Sequence, residues 1–127
     1  MKEQSEFYID ERGNKFWYLP SKGKRHFHRV DGPACEYGDG SKQWFIDEKR
    51  HRIDGPAVEY ADGLKHWYVD GKRHRLDGPA CEWANGTKEW YVDGNQRNTE
   101  EIEEWLEENK IDLKTETGQM AFKLRWI

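Results

Sequence analysis

Much that would build a thick core or a membrane anchor is missing from this 127-residue chain. Apolar side chains make up 35%, charged ones 36%, and mean hydropathy is −1.20. No apolar run approaches the roughly 18 residues that suggest a transmembrane helix, so none is expected. The opening run Met1-Lys2-Glu3-Gln4-Ser5-Glu6 has no apolar stretch, so no secretion leader is expected either. Excess basic charge is absent too. Residues 1–28 carry six Lys/Arg against four Asp/Glu, residues 29–97 eleven against thirteen, and residues 98–127 four against eight. That balance disfavours a general nucleic-acid binder, whose basic patch would dominate, and it is not dense enough in acid for a nucleic-acid mimic. There is no Gly-x-Ser-x-Gly, no phosphate-binding glycine loop and no activated Cys–His pair. No enzyme is expected, and no catalytic residue or cofactor is assigned.

Aromatic residues are plentiful. They reach 14%, with seven tryptophans, whereas disordered chains are poor in them. The composition calls for a thin fold stapled by aromatic rings. An internal repeat organises it. Asp-Gly-Pro-Ala occurs at 31–34, 54–57 and 77–80, a constant step of 23 residues. In the same register lie Glu36, Glu59 and Glu82; Gly40, Gly63 and Gly86; Trp44, Trp67 and Trp90; and Phe45, Tyr68 and Tyr91. Gly13, Lys15, Trp17 and Tyr18 mark a worn unit before them, offset by four extra residues around Pro20-Ser21-Lys22-Gly23.

Each unit reads as a β-hairpin. Asp39-Gly40, Asp62-Gly63 and Asn85-Gly86 are dipeptides that favour two-residue type I′ turns. A second turn falls at Asp70-Gly71 and Asp93-Gly94, where the equivalent Asp47-Glu48 has lost its glycine. Registering the hairpin about Asp39-Gly40 pairs Tyr37 with Lys42 and Cys35 with Trp44. Strand alternation then predicts a packed face of Cys35, Tyr37, Trp44 and Ile46, and a wetter face of Ala34, Glu36, Gln43 and Phe45. Cys35 and Cys81 occupy one repeat position two units apart, about four strand spacings or roughly 19 Å, beyond the reach of a disulfide. They read as small buried hydrophobes in a reducing compartment, with the cytoplasm as the expected location.

The last thirty residues differ. Asn98-Thr99-Glu100-Glu101 offers a capping-box-like start to a helix ending near Asn109, with Ile102, Trp105 and Leu106 on one stripe. From Met120 to Ile127 apolar residues alternate, which predicts a final strand. The expected fold is therefore an all-β hairpin array over residues 1–97, with units at about 7–28, 29–51, 52–74 and 75–97. A C-terminal helix and strand over 98–127 close it.

Candidate sites follow from the repeat. His26-x-His28 with His51 and His74 could suggest a metal, but His51 and His74 lie one unit apart, too far to share one ion, so no metal site is assigned. Glu36, Glu59 and Glu82 recur in every unit, as structural residues do, each bridged by a neighbouring Lys or Arg. The binding candidates are Phe45, Tyr68 and Tyr91, with Arg50 and Arg73 beside them and the varied Gln43, His66 and Glu89 between. Tyrosine and arginine are enriched at interface hot spots. Glutamates 100, 103, 104, 107 and 108 line the remainder of the helix, which serves as a lid on the array or as a partner-facing surface.

The 23-residue step, the aromatic after the hairpin turn and the run Trp67-Tyr68-Val69-Asp70-Gly71-Lys72-Arg73-His74 resemble MORN-type repeats. The similarity is greatest to the bacterial and phage MORN-repeat antitoxin-like variant, over residues 29–97 and more loosely over 7–28. Arg-x-Asp-Gly-Pro-Ala stands where ordinary MORN units have a Gly-x-Gly step. The resemblance implies a single-layer antiparallel sheet that binds proteins, and most concretely a small phage-type inhibitor of a host protein, with an anti-defence factor as one form of it. The alternatives are a lipid-binding protein at a membrane surface and a small enzyme acting on sugar or nucleotide. The expected partner is a protein; nucleic acid and membrane are disfavoured, and a homo-oligomer stays open.

Overall fold

The computed structural model describes residues 4–127; Met1, Lys2 and Glu3 of the polar opening run lie outside the described residues. The chain runs as a succession of short antiparallel hairpins. Strand β1 (Glu6–Ile9) pairs with β2 (Lys15–Tyr18), and β3 (Cys35–Glu36) with β4 (Lys42–Gln43). A second hairpin follows at once, β5 (Phe45–Ile46) with β6 (Lys49–Arg50). The next unit repeats the plan with β7 (Val58–Glu59), β8 (Lys65–His66), β9 (Tyr68–Val69) and β10 (Lys72–Arg73). In the last unit β11 (Cys81–Glu82) pairs with β12 (Lys88–Val92), which runs unbroken into its pairing with β13 (Asn95–Arg97). The result is one nine-stranded sheet, β1-β2-β3-β4-β7-β8-β11-β12-β13, flanked by the two-stranded ribbons β5–β6 and β9–β10.

The turn between β3 and β4 corrects the expected register by one residue. Gly40 N–H bonds to Tyr37 O and Tyr37 N–H to Ser41 O, leaving a three-residue loop, Gly38-Asp39-Gly40. A type I′ turn needs positive φ at both central residues. Here Gly40 has φ +97° while Asp39 is not left-handed, and the Asp39 carboxylate instead accepts the Ser41 N–H at 2.8 Å. This is a type I turn closed by a left-handed glycine, the usual three-residue hairpin. The hydrogen bonds recur from Tyr60 to Leu64 and from Trp83 to Thr87. Cys35 therefore faces Gln43, and Glu36 faces Lys42. The face assignments change with the register: Cys35 and Tyr37 share a face with Gln43 and Phe45, while Glu36 shares the other with Trp44. Ala34, expected on a wet face, is fully buried with its counterparts Ala57 and Ala80. The second turns are two-residue type I′ turns, with φ +50° and +69° at Asp47-Glu48 and +50° and +79° at Asp70-Gly71.

A single polar cluster holds each corner. The Arg29 guanidinium carbon sits 3.8 Å over the Trp17 ring, and Arg52 and Arg75 stand 3.8 Å over Trp44 and Trp67. Each guanidinium also donates to an Asp, a proline carbonyl and a Glu. For Arg75 these are Asp77 Oδ1 at 2.7 Å, Pro79 O at 3.0 Å and Glu82 Oε1 at 3.0 Å. The glycine of Asp-Gly-Pro leaves room for the stacked arginine: a Cβ on Gly55 would come within 2.8 Å of the Arg52 guanidinium carbon and displace it. Backbone bonds hold the same tryptophan on both sides: Trp44 N–H donates to Ala57 O of the next unit at 2.8 Å, and His51 N–H of its own unit donates to Trp44 O at 3.1 Å.

Two helices close the chain. α1 (Thr99–Glu108) starts at Asn98, whose side chain accepts the Glu101 N–H, and stops at Asn109. The expected final strand is instead α2 (Glu116–Trp126), capped by the Thr115 hydroxyl, which accepts the Gly118 N–H. Its buried stripe is Gly118, Phe122 and Trp126, spaced four residues apart. The alternation from Met120 onward misleads because it contains two such four-residue pairs, one facing inward and one outward. Phe122 and Trp126 join Trp90, Val92, Ile102 and Leu113 in a core that covers the last unit. Trp90 has no arginine eight residues on, since Asn98 stands there, and the Phe122 ring takes the place beside it, 5.9 Å between centroids.

Phe122 is 0% exposed and Leu124 is 82% exposed. Phe122→Ala is therefore expected to cost about 3–5 kcal/mol and Leu124→Ala less than about 0.5 kcal/mol in urea denaturation. A strand would place both side chains on one face and give them similar costs.

Candidate functional site

The corrected register sets one row of side chains across the sheet face: Phe16, Cys35, Gln43, Val58, His66, Cys81 and Glu89, each directly opposite the next. Beside it the ribbons contribute a second row in which rings and guanidinium groups alternate. Phe27 meets Phe45 at 5.4 Å. The Arg50 guanidinium lies 5.5 Å from the Phe45 ring and 5.6 Å from Tyr68. Arg73 in turn lies 5.8 Å from Tyr68 and 5.2 Å from Tyr91. The β5–β6 and β9–β10 pairings put Phe45 opposite Arg50 and Tyr68 opposite Arg73, so the tight second turn of each unit builds the ladder.

The eight residues singled out from the sequence thus come together on one face. Arg50 Nε donates to Gln43 Oε1 at 3.2 Å, and Arg73 to the hydroxyls of Tyr68 at 3.2 Å and Tyr91 at 3.4 Å. The Tyr91 hydroxyl donates to Glu89 Oε2 at 3.1 Å. His66 lies among three rings, 6.1 Å from Tyr60, 6.3 Å from Tyr68 and 6.3 Å from Trp83. All are half-buried except Arg50, which is exposed. Sequence reasoning left Phe16, Phe27, Tyr37, Tyr60 and Trp83 out of this surface. For Tyr37, Tyr60 and Trp83 the signal was the register, hidden until the three-residue loop is recognised; Phe16 and Phe27 belong to the worn first unit, where the repeat alignment gave no guide.

Electrostatics follow from burial. Desolvation pushes the thiols of Cys35 and Cys81 up to about 11. Both are free, buried thiols, on strands four places apart in the sheet, and at neutral pH they are poor nucleophiles. His66 Nδ1 lies 3.0 Å from Cys81 Sγ. With the thiol protonated, the pair is a neutral contact and not an ion pair. The remaining histidines serve the fold. Nδ1 of His28, His51 and His74 accepts the N–H of Asp47, Asp70 and Asp93, respectively, at 2.8–3.0 Å. His26 pairs with Asp47 and Glu48. Among the described residues no group of three or more His, Cys, Asp or Glu side chains is arranged to hold a metal. Glu36, Glu59 and Glu82 lie on the opposite face, bridged by Arg29, Arg52 and Arg75 at 3.0–3.5 Å. No helix among the described residues is long and apolar enough to cross a membrane.

Comparison with protein-family models, curated proteins and solved structures finds no match to this chain.

Burial, then the nearby charges of Arg73 and Arg50, lower the pKa of His66 from its ordinary 6.5. The unfolded chain therefore takes up this proton more readily than the folded one. His66 supports folding fully above pH 6.5, and that contribution is lost as pH falls from there toward its lower folded value. Thermal melts should show a Tm that drops on acidification through this window, with a shallower drop for His66→Gln. An unchanged slope in the variant would contradict the assignment.

Proposed function

We propose that the chain is a MORN-like repeat array acting as a non-enzymatic protein-binding module, most concretely a small phage-type inhibitor of a host protein in the cytoplasm. The observation that carries this reading is the continuous ladder Phe45–Arg50–Tyr68–Arg73–Tyr91 on one sheet face. Tyrosine and arginine are the side chains most enriched at interface hot spots. Hydrogen bonds within the ladder, from Arg50 to Gln43, from Arg73 to Tyr68 and Tyr91, and from Tyr91 to Glu89, lower the ordering cost of binding. One consensus surface carries a different label in each unit, Gln43, His66 and Glu89, which suits a partner that runs along the array.

The test is affinity capture from a host lysate, followed by titration of the captured protein against wild type and a Tyr68→Ala/Arg50→Ala double variant. Truncating a central hot spot costs about 2 kcal/mol or more, so binding should weaken at least tenfold while the variant keeps a cooperative thermal melt. Normal binding by this variant, with loss of binding on changing Glu103, Glu104 and Glu107 of α1, would place the working surface on the cap and overturn the reading.

A further inference from the structure

The two ends of the sheet are finished differently. At one end β13 is short and polar, its chain turns at Asn98 into α1, and Arg97 donates to the Trp126 carbonyl of α2 at 2.9 Å. At the other end β1 pairs with β2 on one side only. Terminal units of repeat arrays need a cap. Apart from the charge of Glu6, β1 has no lysine, proline or bulge to guard its open edge. Two of its four side chains are apolar and open, Phe7 at 57% exposure and Ile9 at 55%.

The backbone of that edge specifies what pairs with it. Residues of an antiparallel strand alternate between bonding the neighbouring strand and pointing away from it. Asp10 N–H donates to Asn14 O at 2.9 Å, so Asp10, Tyr8 and Glu6 bond toward β2, while Phe7 and Ile9 aim their N–H and C=O groups outward. Trp17, opposite Phe7, agrees: its own N–H and C=O turn away from β1, to Ala34 and His28. Outward donors and acceptors at strand spacing take another extended backbone, the geometry of β-augmentation.

The side chains then select a second copy of this chain. Two copies of one edge pair antiparallel about a symmetry axis normal to the sheet, which keeps each face on its own side and sets outward-bonding residues opposite each other. With Phe7 opposite Phe7, Glu6 of each copy meets Tyr8 of the other, and Ile9 meets Ser5. Slipping the register one way sets Glu6 against Glu6, and the other way sets Glu6 against Asp10. Like charges directly opposite are unfavourable. Centred on Phe7, Glu6 instead finds a cation. Lys24 Nζ stands 5.4 Å from the centre of the Tyr8 ring and is in no ion pair among the described residues. Glu6 of the second copy, opposite Tyr8, falls beside it, and symmetry makes the contact twice. The two Phe7 rings also meet, each already stacked on its own Trp17 at 5.4 Å. We infer that β1 is a dimerisation edge, where two copies pair in antiparallel register about Phe7 to form one continuous sheet. Both aromatic ladders then lie on the same side of that sheet, and the pairing does not depend on what they bind.

The edge is four residues long, and an interface of that size belongs to the small class, below about 1,200 Å². Sedimentation equilibrium of the full chain from about 10 μM to about 1 mM should therefore show monomer passing into dimer. Ile9→Pro removes one outward N–H from each copy and keeps the β1–β2 bonds, since proline is tolerated on an edge where its nitrogen faces solvent. It should weaken the dimer by about tenfold or more, with a thermal melt close to wild type. Glu6→Lys and Lys24→Glu should each weaken the dimer, and the double variant should restore it, because each ion pair joins one copy to the other. Leu124→Lys on the exposed face of α2 and Tyr68→Ala on the ladder should leave it unchanged. A chain that stays monomeric up to about 1 mM would leave the edge to an extended segment of another protein and overturn the inference. So would a dimer that survives Ile9→Pro, or one lost in Leu124→Lys, which would place the contact on α2. Where Ile9→Pro melts early, the charge pair decides, and failure of the double variant to restore the dimer overturns the inference.

Discussion

The stacking of an arginine on a tryptophan at each corner is the interaction on which the rest of this structure depends. A single sheet with little apolar material cannot bury enough surface on its own to offset the entropy of ordering its chain. Here one guanidinium does the work of several apolar side chains. It covers an indole ring at 3.8 Å, and its N–H groups fix the Asp-Gly-Pro corner and the strand glutamate. Planarity makes this possible, since a lysine ammonium can neither lie flat on the ring nor donate in a fork. The cluster links the end of one unit to the start of the next, alongside the strand pairing that spaces them.

The same constraint explains the two ends. Trp17, Trp44 and Trp67 each have an arginine, but Trp90 meets Asn98 where the next arginine would be. Asn98 instead caps α1, and α2 brings Phe122 beside the ring, with Trp126 packed behind it. The helices are thus the covering for the last tryptophan, and the chain changes from a polar staple to an apolar core where the repeat stops. At the start, the residues from Leu19 to Gly23 form a turn of their own, with Lys22 and Gly23 N–H both bonding to Leu19 O. That turn absorbs the four extra residues before Arg29 reaches Trp17.

Much of this was legible in the sequence, and the failures are local. The 23-residue step gave the hairpin order, the second turns and the gathering of Phe45, Tyr68, Tyr91, Arg50 and Arg73. It did not give the register, because Asp-Gly serves both a two-residue turn and the last two positions of a three-residue loop. Only the φ of the Asp distinguishes them, and that angle is set by its side chain accepting the N–H two residues on. The tail was misread for a similar reason. Apolar residues at 120, 122, 124 and 126 fit a strand, and they also fit a helix with two apolar stripes. The deciding residues lie earlier, where Thr115 caps the helix and Gly118 leaves room for the Asp112 carbonyl, 1.9 Å from where a Cβ would sit. The arginines recur at the same step and eight residues after Trp44 and Trp67, yet their role needs the fold, since a charged repeat residue reads as solvated until a ring is found beneath it.

The most direct test of this account is a double-mutant cycle between Arg52 and Trp44 in urea denaturation, using Arg52→Met and Trp44→Leu. The stacked, hydrogen-bonded guanidinium predicts a coupling energy of about 1 kcal/mol or more. Coupling within about 0.3 kcal/mol of zero, the additivity expected of independent sites, would contradict the claim that the corner cluster holds the units together.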